Sequence, residues 1–391
     1  MGKYALEHYS PYETYKIRPT SMPHSKAAVN PGRGQYRLVE LTWKELEPHR
    51  GIYDLDRLKE ALAEVHNPVL SIKQVIPSWL KKGSEEGFLH LLRRIASALP
   101  DVKLIGVAVS SEEGSQGIWD AYLEAFEGIP LLVNLEQEAL LRYLKEKEYP
   151  FGLIVNCSED NWISCCEKFA GYRLQNTWQR MPVLLQIEEE VGYSIPGYTV
   201  PGYTIPGNSL PGNSLPGGSI PGENIRRESL RWHAGLSSCP MDIGYDFTIR
   251  RLTFPKKIAS EGALPLRFWL VNKGSAPCYL DFSLRLRLER EGEQWEFILN
   301  IDKGTWKVGD ITHNEIISLP VLPLGEYYLS AGIFFSDESP MELDIRMEKK
   351  DGYYRLGTVE VCKDTPVDLA HAWDDFYPEG YYPLEDPQLP D

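Results

Sequence analysis

Residues 129–155 read IPLLVNLEQEALLRYLKEKEYPFGLIV, and they decide the fold class. Ile129–Leu135 and Phe151–Val155 are short, continuous apolar runs, with an amphipathic stretch, Glu136–Glu148, between them. Strands buried on both faces read as unbroken apolar runs, whereas strands with one wet face alternate. A strand, a helix and a strand joined by short connections imply parallel neighbours linked by a crossover helix.

The pattern extends outward in both directions. Upstream, the spacing predicts strands over Tyr36–Leu41, Val69–Val75 and Val102–Val109. Helices are expected over Leu55–Val65 with Asp54 as N-cap, over Glu85–Leu99, and around Ile118–Phe126. Downstream come a helix over Asn161–Tyr172, a strand over Met181–Ile187 and a helix over Arg226–Leu236. From Ile243 the texture changes. Tyr245–Leu252, Leu264–Asn272, Tyr279–Glu289, Glu293–Leu299, Glu315–Leu319, Tyr327–Phe335 and Tyr353–Val361 are strand-like and punctuated by Gly, Pro, Asn and Asp. Consecutive strands without helices indicate an antiparallel sandwich.

Six pentapeptides, YSIPG, YTVPG, YTIPG, NSLPG, NSLPG and GSIPG, run from Tyr193 to Gly222. Pro followed by Gly suits a type II turn, and units this poor in apolar residues read as a surface insertion. The chain is therefore expected to hold an N-terminal extension (1–29), a β/α domain (30–241) interrupted by the repeat insertion (192–225), a β-sandwich (242–362) and a tail (363–391). That tail carries eight acidic residues against one Lys.

The 391 residues carry 41 Lys and Arg against 56 Asp and Glu, a formal charge of −15, which argues against nucleic acid or an anionic membrane as the main partner. No apolar run approaches the ~20 residues that span a bilayer. The polar start, Met1 to His8, lacks the apolar core of a signal peptide, so a cytoplasmic location is expected. Six cysteines (157, 165, 166, 239, 278 and 362) show no zinc spacing and read as inert thiols. No cofactor or metal is called for.

The segment Leu41–Asp54, LTWKELEPHRGIYD, resembles the Trp/Glu-Pro/Gly/Asp signature of clan A glycoside hydrolases, β-galactosidases among them. Pro77-Ser78-Trp79-Leu80 is similar to their P-x-W after the third strand. Asn30–Gly34, with the run from Gly244 to Gly357, resembles a narrower family of uncharacterised proteins that join such a barrel to a sandwich of unknown function. The resemblance covers about residues 30–362. It implies a (β/α)8-type TIM barrel followed by an antiparallel sandwich, and carbohydrate as partner.

The resemblance also implies an acid/base Glu ending strand four and a nucleophilic Glu ending strand seven. The strand-four pattern falls on Ile105–Glu113 and places the acid/base at Glu112, with Ser111 and Glu113 where Asn and Pro are usual. The strand-seven pattern falls on Pro182–Gln186, so a glutamine, Gln186, occupies the nucleophile's place. Glu188, two residues on and on the same side of an extended strand, is the substitute. Trp79 and Trp119 are candidate platforms for sugar C–H groups, together with Ser111, Glu113 and Gln186 as substrate contacts. Glu47, although in the signature, reads as structural.

The barrel is expected to be degenerate. Only Tyr36–Leu41 precedes Trp43, where family members have a further strand and helix. Outside the insertion roughly 180 residues remain, against the ~200–250 usual for such rings. Three readings follow: a retaining glycosidase using Glu112 and Glu188, a catalytically inactive carbohydrate-binding pseudo-enzyme, and a structural or interaction protein.

Overall fold

The computed structural model describes residues 12–16 as backbone, and residues 34–80, 85–99, 102, 104–110, 116–187 and 222–363 in full. The sequence-predicted residues Ser111, Glu112, Glu113 and Glu188, the repeats up to residue 221 and the tail from 364 lie outside them. The chain divides into two compact units. One is His24–Tyr245 with Gly274–Leu280; the other is Met1–Pro23, Asp246–Lys273 and Asp281–Asp391.

The chain order opens with a strand of the second unit, Tyr12–Lys16 (β1). The α/β unit then runs β2 (Arg37–Thr42), α1 (Trp43–Leu46), α2 (Leu55–Ala63), β3 (Pro68–Lys73), α3 (Glu85–Ala98), β4 (Gly106–Ala108) and α4 (Gln116–Ala125). It continues with β5 (Leu131–Asn134), α5 (Glu138–Glu146), β6 (Gly152–Cys157), α6 (Trp162–Gly171), β7 (Val183–Ile187), α7 (Glu223–Arg231) and β8 (Leu236–Ser237). The seven strands β2 to β8 form one sheet in sequence order, every neighbouring pair parallel.

The sheet curls until its two ends meet. A parallel bridge joins Gln35 to Ser237, with Tyr36 N donating to Ser237 O (3.0 Å) and Ser237 N to Gly34 O (2.7 Å). Among the described residues the curled sheet holds seven parallel strands, where a complete (β/α)8 barrel has eight. The Tyr245–Leu252 run does not contribute an eighth; it enters the sandwich.

Strand alternation separates two cores. Leu70, Ile72, Val107, Val133, Val155 and Leu185 face the helices and pack with residues such as Phe88, Leu91, Tyr122 and Leu141. Tyr36, Val69, Ile105, Ala108, Leu132, Ile154, Leu184 and Leu236 form a second cluster with at least one member at each of the seven strands. An interior this tight must have small residues where large ones cross it. A Cβ on Gly106 would lie 2.5 Å from Pro130 O and 3.0 Å from Leu132 Cδ1; on Gly152 it would lie 2.6 Å from both Leu132 Cδ2 and Pro182 O. Leu132 therefore sits between two glycines.

The last helix corrects the sequence reading. The spacing predicts helix through Leu236, but α7 ends at Arg231. His233 adopts φ +51°, and Ala234 N closes on Ser229 O. A left-handed residue with that hydrogen bond terminates a helix, which frees Leu236 to enter the sheet as β8.

Residues 274–280 belong to this unit although the sequence around them is sandwich. Leu280 packs on the inner cluster. Tyr279 donates to Trp178 O (2.8 Å), and Ser275 Oγ donates to Ala234 O and accepts from Gly244 N, both at 2.8 Å. Trp178 and Ala234 precede β7 and β8, so this segment stoppers the end where strands enter. Tyr279→Ala is expected to lower the α/β unit's stability by about 2–3 kcal/mol through lost contact area and a hydrogen bond. Chemical denaturation followed by near-ultraviolet circular dichroism checks this.

The second unit holds β9 (Phe247–Pro255), β10 (Lys257–Ala259), β11 (Gly262–Asn272), β12 (Phe282–Arg290), β13 (Glu293–Ile298), β14 (Gly309–Leu319), β15 (Gly325–Phe335), β16 (Lys349–Lys350) and β17 (Tyr353–Cys362). One sheet has the order β1-β9-β11-β14, all antiparallel. The other runs β10-β17-β15-β12-β13 with β16 on β17, and its β10–β17 pair is parallel. Phe247 of the first sheet meets Phe282 of the second at 6.0 Å, and Trp306 lies against both. Among the described residues no helix is long and apolar enough to cross a membrane.

Candidate functional site at the strand ends

The Trp/Glu-Pro/Gly signature folds into a local clasp. Thr42 caps α1 in a reciprocal box with Glu45, the hydroxyl accepting from Glu45 N and the carboxylate accepting from Thr42 N. One turn later Trp43 Nε1 donates to Glu47 Oε2 (2.7 Å) and Gly51 N donates to Glu47 Oε1 (2.8 Å). Glu47 is 3% exposed and Trp43 fully buried. Trp79, on the loop after β3, donates its indole N–H to Glu47 O (2.8 Å) and meets Trp43 edge-on at 6.4 Å. The motif thus stitches the loops leaving β2 and β3 together, with each named residue holding the next.

Beside this clasp lies the end of the curled sheet where its strands finish. Leu131 and Val133, Leu153 and Val155, and Val183 and Leu185 face the helices. Alternation therefore turns Asn134, Asn156 and Gln186 to the same inner face as Leu132, Ile154 and Leu184. These are neighbouring strands, and Asn156 pairs in register with Gln186. Asn156 and Gln186 stand level, and Asn134, level with Ile154, lies one inward step nearer the strand starts, so the three form a staggered amide row across β5, β6 and β7.

Gln186 is anchored from below. Tyr36, 1% exposed, donates its hydroxyl to Gln186 Oε1 at 2.9 Å. Burial pushes the phenol's pKa well above its ordinary value, with Cys239 adding to the effect, so it remains a donor at neutral pH. Asn134 Oδ1 accepts from Glu136 N (2.9 Å). The NH2 groups of Asn134 and Gln186 and the side chain of Asn156 make no hydrogen bond to another described residue. On the opposite arc Lys73 and Glu40 form an ion pair at 2.7 Å, each about half exposed. Among the described inward-facing strand residues, Glu40 is the one carboxylate.

Sequence reasoning named Gln186 but missed Tyr36, Asn134 and Asn156. A signal existed: Leu131-Leu132-Val133-Asn134, Leu153-Ile154-Val155-Asn156 and Val183-Leu184-Leu185-Gln186 each read three apolar residues and then an amide. Of the expected platforms, Trp119 is 6% exposed on α4, packed against Tyr143 at 5.1 Å in the outer layer. It stands away from the amide row. Trp79 is partly buried against the same outer core. None of the six cysteines forms a disulfide. Cys165 and Cys166 turn to different partners, Asn156 O and Glu228 Oε2, each 3.5 Å away. No group of three or more His, Cys, Asp or Glu among the described residues could hold a metal ion.

No family model matches this chain, and no curated protein does either. Among solved structures it is similar to an FMN-binding β-glucuronidase from Facaelibacterium prausnitzii L2-6, at 10% identity and a TM-score of 0.29 over 85% of this chain and 48% of that one. A β-glucosidase from Listeria innocua in complex with gluconolactone gives 12% identity and a TM-score of 0.22, over 89% and 48%. The CARDB domain of the PF1109 protein from Pyrococcus furiosus, in complex with di-metal ions, matches 32% of this chain at 13% identity, with 94% of that domain covered and a TM-score of 0.20. The chain spans about half the length of either glycosidase. Similarity at this level says nothing of activity.

Proposed function

We propose that the α/β unit is a closed seven-stranded ring, one β/α unit short of eight, and that its strand-end mouth binds carbohydrate without forming a covalent intermediate at Gln186. The observation that carries this reading is the level pair Asn156 and Gln186, with Asn134 one inward step nearer the strand starts and Tyr36 beneath Gln186. An amide offers two N–H donors and a two-lone-pair acceptor, which matches sugar hydroxyls that both give and take hydrogen bonds. A neutral row also suits a neutral ligand, since no unpaired charge must be stripped of water. The resemblance of residues 41–54 to the clan A signature points to the same ligand class. A retaining hydrolase needs two carboxyl groups ~5–5.5 Å apart, one of them attacking the sugar. An amide at position 186 cannot form that ester.

The test is a glycan-binding screen run beside an assay on aryl glycosides. Binding without turnover is expected, with Asn156→Ala and Gln186→Ala each weakening it about fivefold, as loss of one hydrogen bond implies. Turnover that disappears in Glu112→Gln would overturn the binding-only reading. It would support instead the acid/base role that the resemblance implies for Glu112, with Glu188→Gln the matching test of the nucleophile. Absence of any glycan binding would remove the carbohydrate assignment altogether.

A further inference from the structure

The second unit has one strand edge that its own chain leaves open. β14 is the last strand of its sheet and pairs with β11 over all eleven of its residues, in one register without a shift. Among the described residues no backbone group of residues 310–318 has a partner on the other side. The other terminal strands of the two sheets are shorter: β1 has five residues, β10 three, and β13 six, with Glu293 and Glu296 among them. Exposed edges are normally blunted by shortness, by Lys or Pro, or by a bulge. The β14 sequence, GDITHNEIISL, has none of these.

The two faces of this strand are distinct. Ile311, Ile317 and Leu319 are buried, whereas Asp310, Thr312, Asn314, Ile316 and Ser318 are exposed. Alternation therefore turns the odd-numbered residues inward. The inward face carries one ionic pair, His313 Nε2 with Glu315 Oε2 at 2.8 Å, and it is contained within the strand. Asn300 N also donates to the Glu315 carboxylate. On the outward face Ile316 is 45% exposed. Open backbone groups flanked by apolar side chains on both faces make an edge ready to accept another strand.

The order of residues in β14 says which strand. When a strand pairs antiparallel with its own copy about a two-fold axis, opposite residues share a face and the residue on the axis fixes the register. With Asn314 on the axis all eleven residues pair. Ile317 then stands opposite the partner's Ile311, and Glu315 opposite the partner's His313, both on the inward face. Outside, Ile316 stands opposite the partner's Thr312. Moving the axis one residue earlier sets Ile311 against the partner's Glu315, and one residue later sets the two Glu315 carboxylates against each other, which is unfavourable. The match about Asn314 is self-complementary, which favours a second copy of the chain over an unrelated extended peptide. We propose that β14 is a dimerisation edge, pairing antiparallel with the partner's β14 about Asn314 and joining two four-stranded sheets into one continuous sheet.

Sedimentation of the full chain over about 1–100 µM should show a monomer–dimer equilibrium. Asn314→Lys sets two ammonium groups face to face at the axis and should weaken the dimer about fivefold or more. Asn314 is exposed, so the variant should melt within about 2 °C of the parent under conditions where both are monomeric. A second variant reads the register itself. Directly opposite residues have Cα atoms about 4.5–5.5 Å apart, within the span a disulfide bridges. Asn314→Cys should therefore cross-link two copies when diamide takes up the two thiol hydrogens, seen as a doubled mass on a non-reducing gel. Ser318→Cys should give no more of that band than the parent, because the two copies of residue 318 lie at opposite ends of the pairing. Three outcomes would overturn the proposal: a monomer throughout the range, a dimer that Asn314→Lys leaves untouched, or cross-linking through residue 318 in place of 314.

Discussion

Glu47→Ala is expected to destabilise the α/β unit by about 2–4 kcal/mol while leaving the ligand chemistry of any surviving folded protein intact. The carboxylate accepts from the fully buried Trp43 indole at 2.7 Å and from Gly51 N at 2.8 Å. Removing it strands a buried N–H, and an unsatisfied buried donor costs about 1–3 kcal/mol. Gly51 is exposed, so water can replace its partner. The rest of the loss comes from slackening the loop that also receives the Trp79 N–H. Glu47→Gln should fall between parent and alanine, since an amide keeps one acceptor but turns an NH2 towards a donor. The measurement is urea unfolding of the three proteins, beside glycan affinity at a temperature where all are folded. A variant that unfolds like the parent but loses binding would make Glu47 a ligand contact, contrary to its place in the clasp.

This explains how a signature that resembles the one in hydrolases serves the fold itself. Its Trp, Glu and Gly are the residues a fold needs to tie two strand exits together, and they hold whether or not a nucleophile follows. The sequence reading reached the β/α alternation and the sandwich strands because local apolar runs carry both. It ran the last helix through Leu236 because the left-handed turn at His233 has no composition to announce it. It left Tyr12–Lys16 as extension because that strand is defined by its pairing with β9, in which Thr14 lies opposite Thr253. Pairing across such a separation leaves no local mark.

The site was legible in proportion to how locally it is written. Gln186 came from a strand pattern, and the neighbouring amides repeat that pattern in plain sight. What could not be read was that Tyr36, at the opposite edge of the chain's sheet, comes to lie 2.9 Å from Gln186. Only closure of the first strand against the last, through Gln35 and Ser237, brings the two ends of the sheet together. The amide row and the closing bridge are therefore one fact seen at two places in the chain.

That closure makes its own demand on the ring interior, and Leu132→Ala should expose it with a loss of about 4–5 kcal/mol. Buried leucine truncations cost 2–5 kcal/mol, more where neighbours cannot collapse into the void. Leu132 is fully buried between Gly106 and Gly152, which have no side chains to move inward. Gly152→Ala should cost about 1–3 kcal/mol by overpacking, because its new Cβ meets Leu132 Cδ2 and Pro182 O, each at 2.6 Å. The double variant separates the two contacts. Truncating Leu132 removes the side-chain clash but not the one with the Pro182 carbonyl. The combined loss should then fall short of the sum by more than the ~0.5 kcal/mol within which independent sites add. Additive losses in a denaturation cycle would mean that Leu132 and Gly152 do not share one interior, and a ring that tight would no longer be needed to account for either glycine.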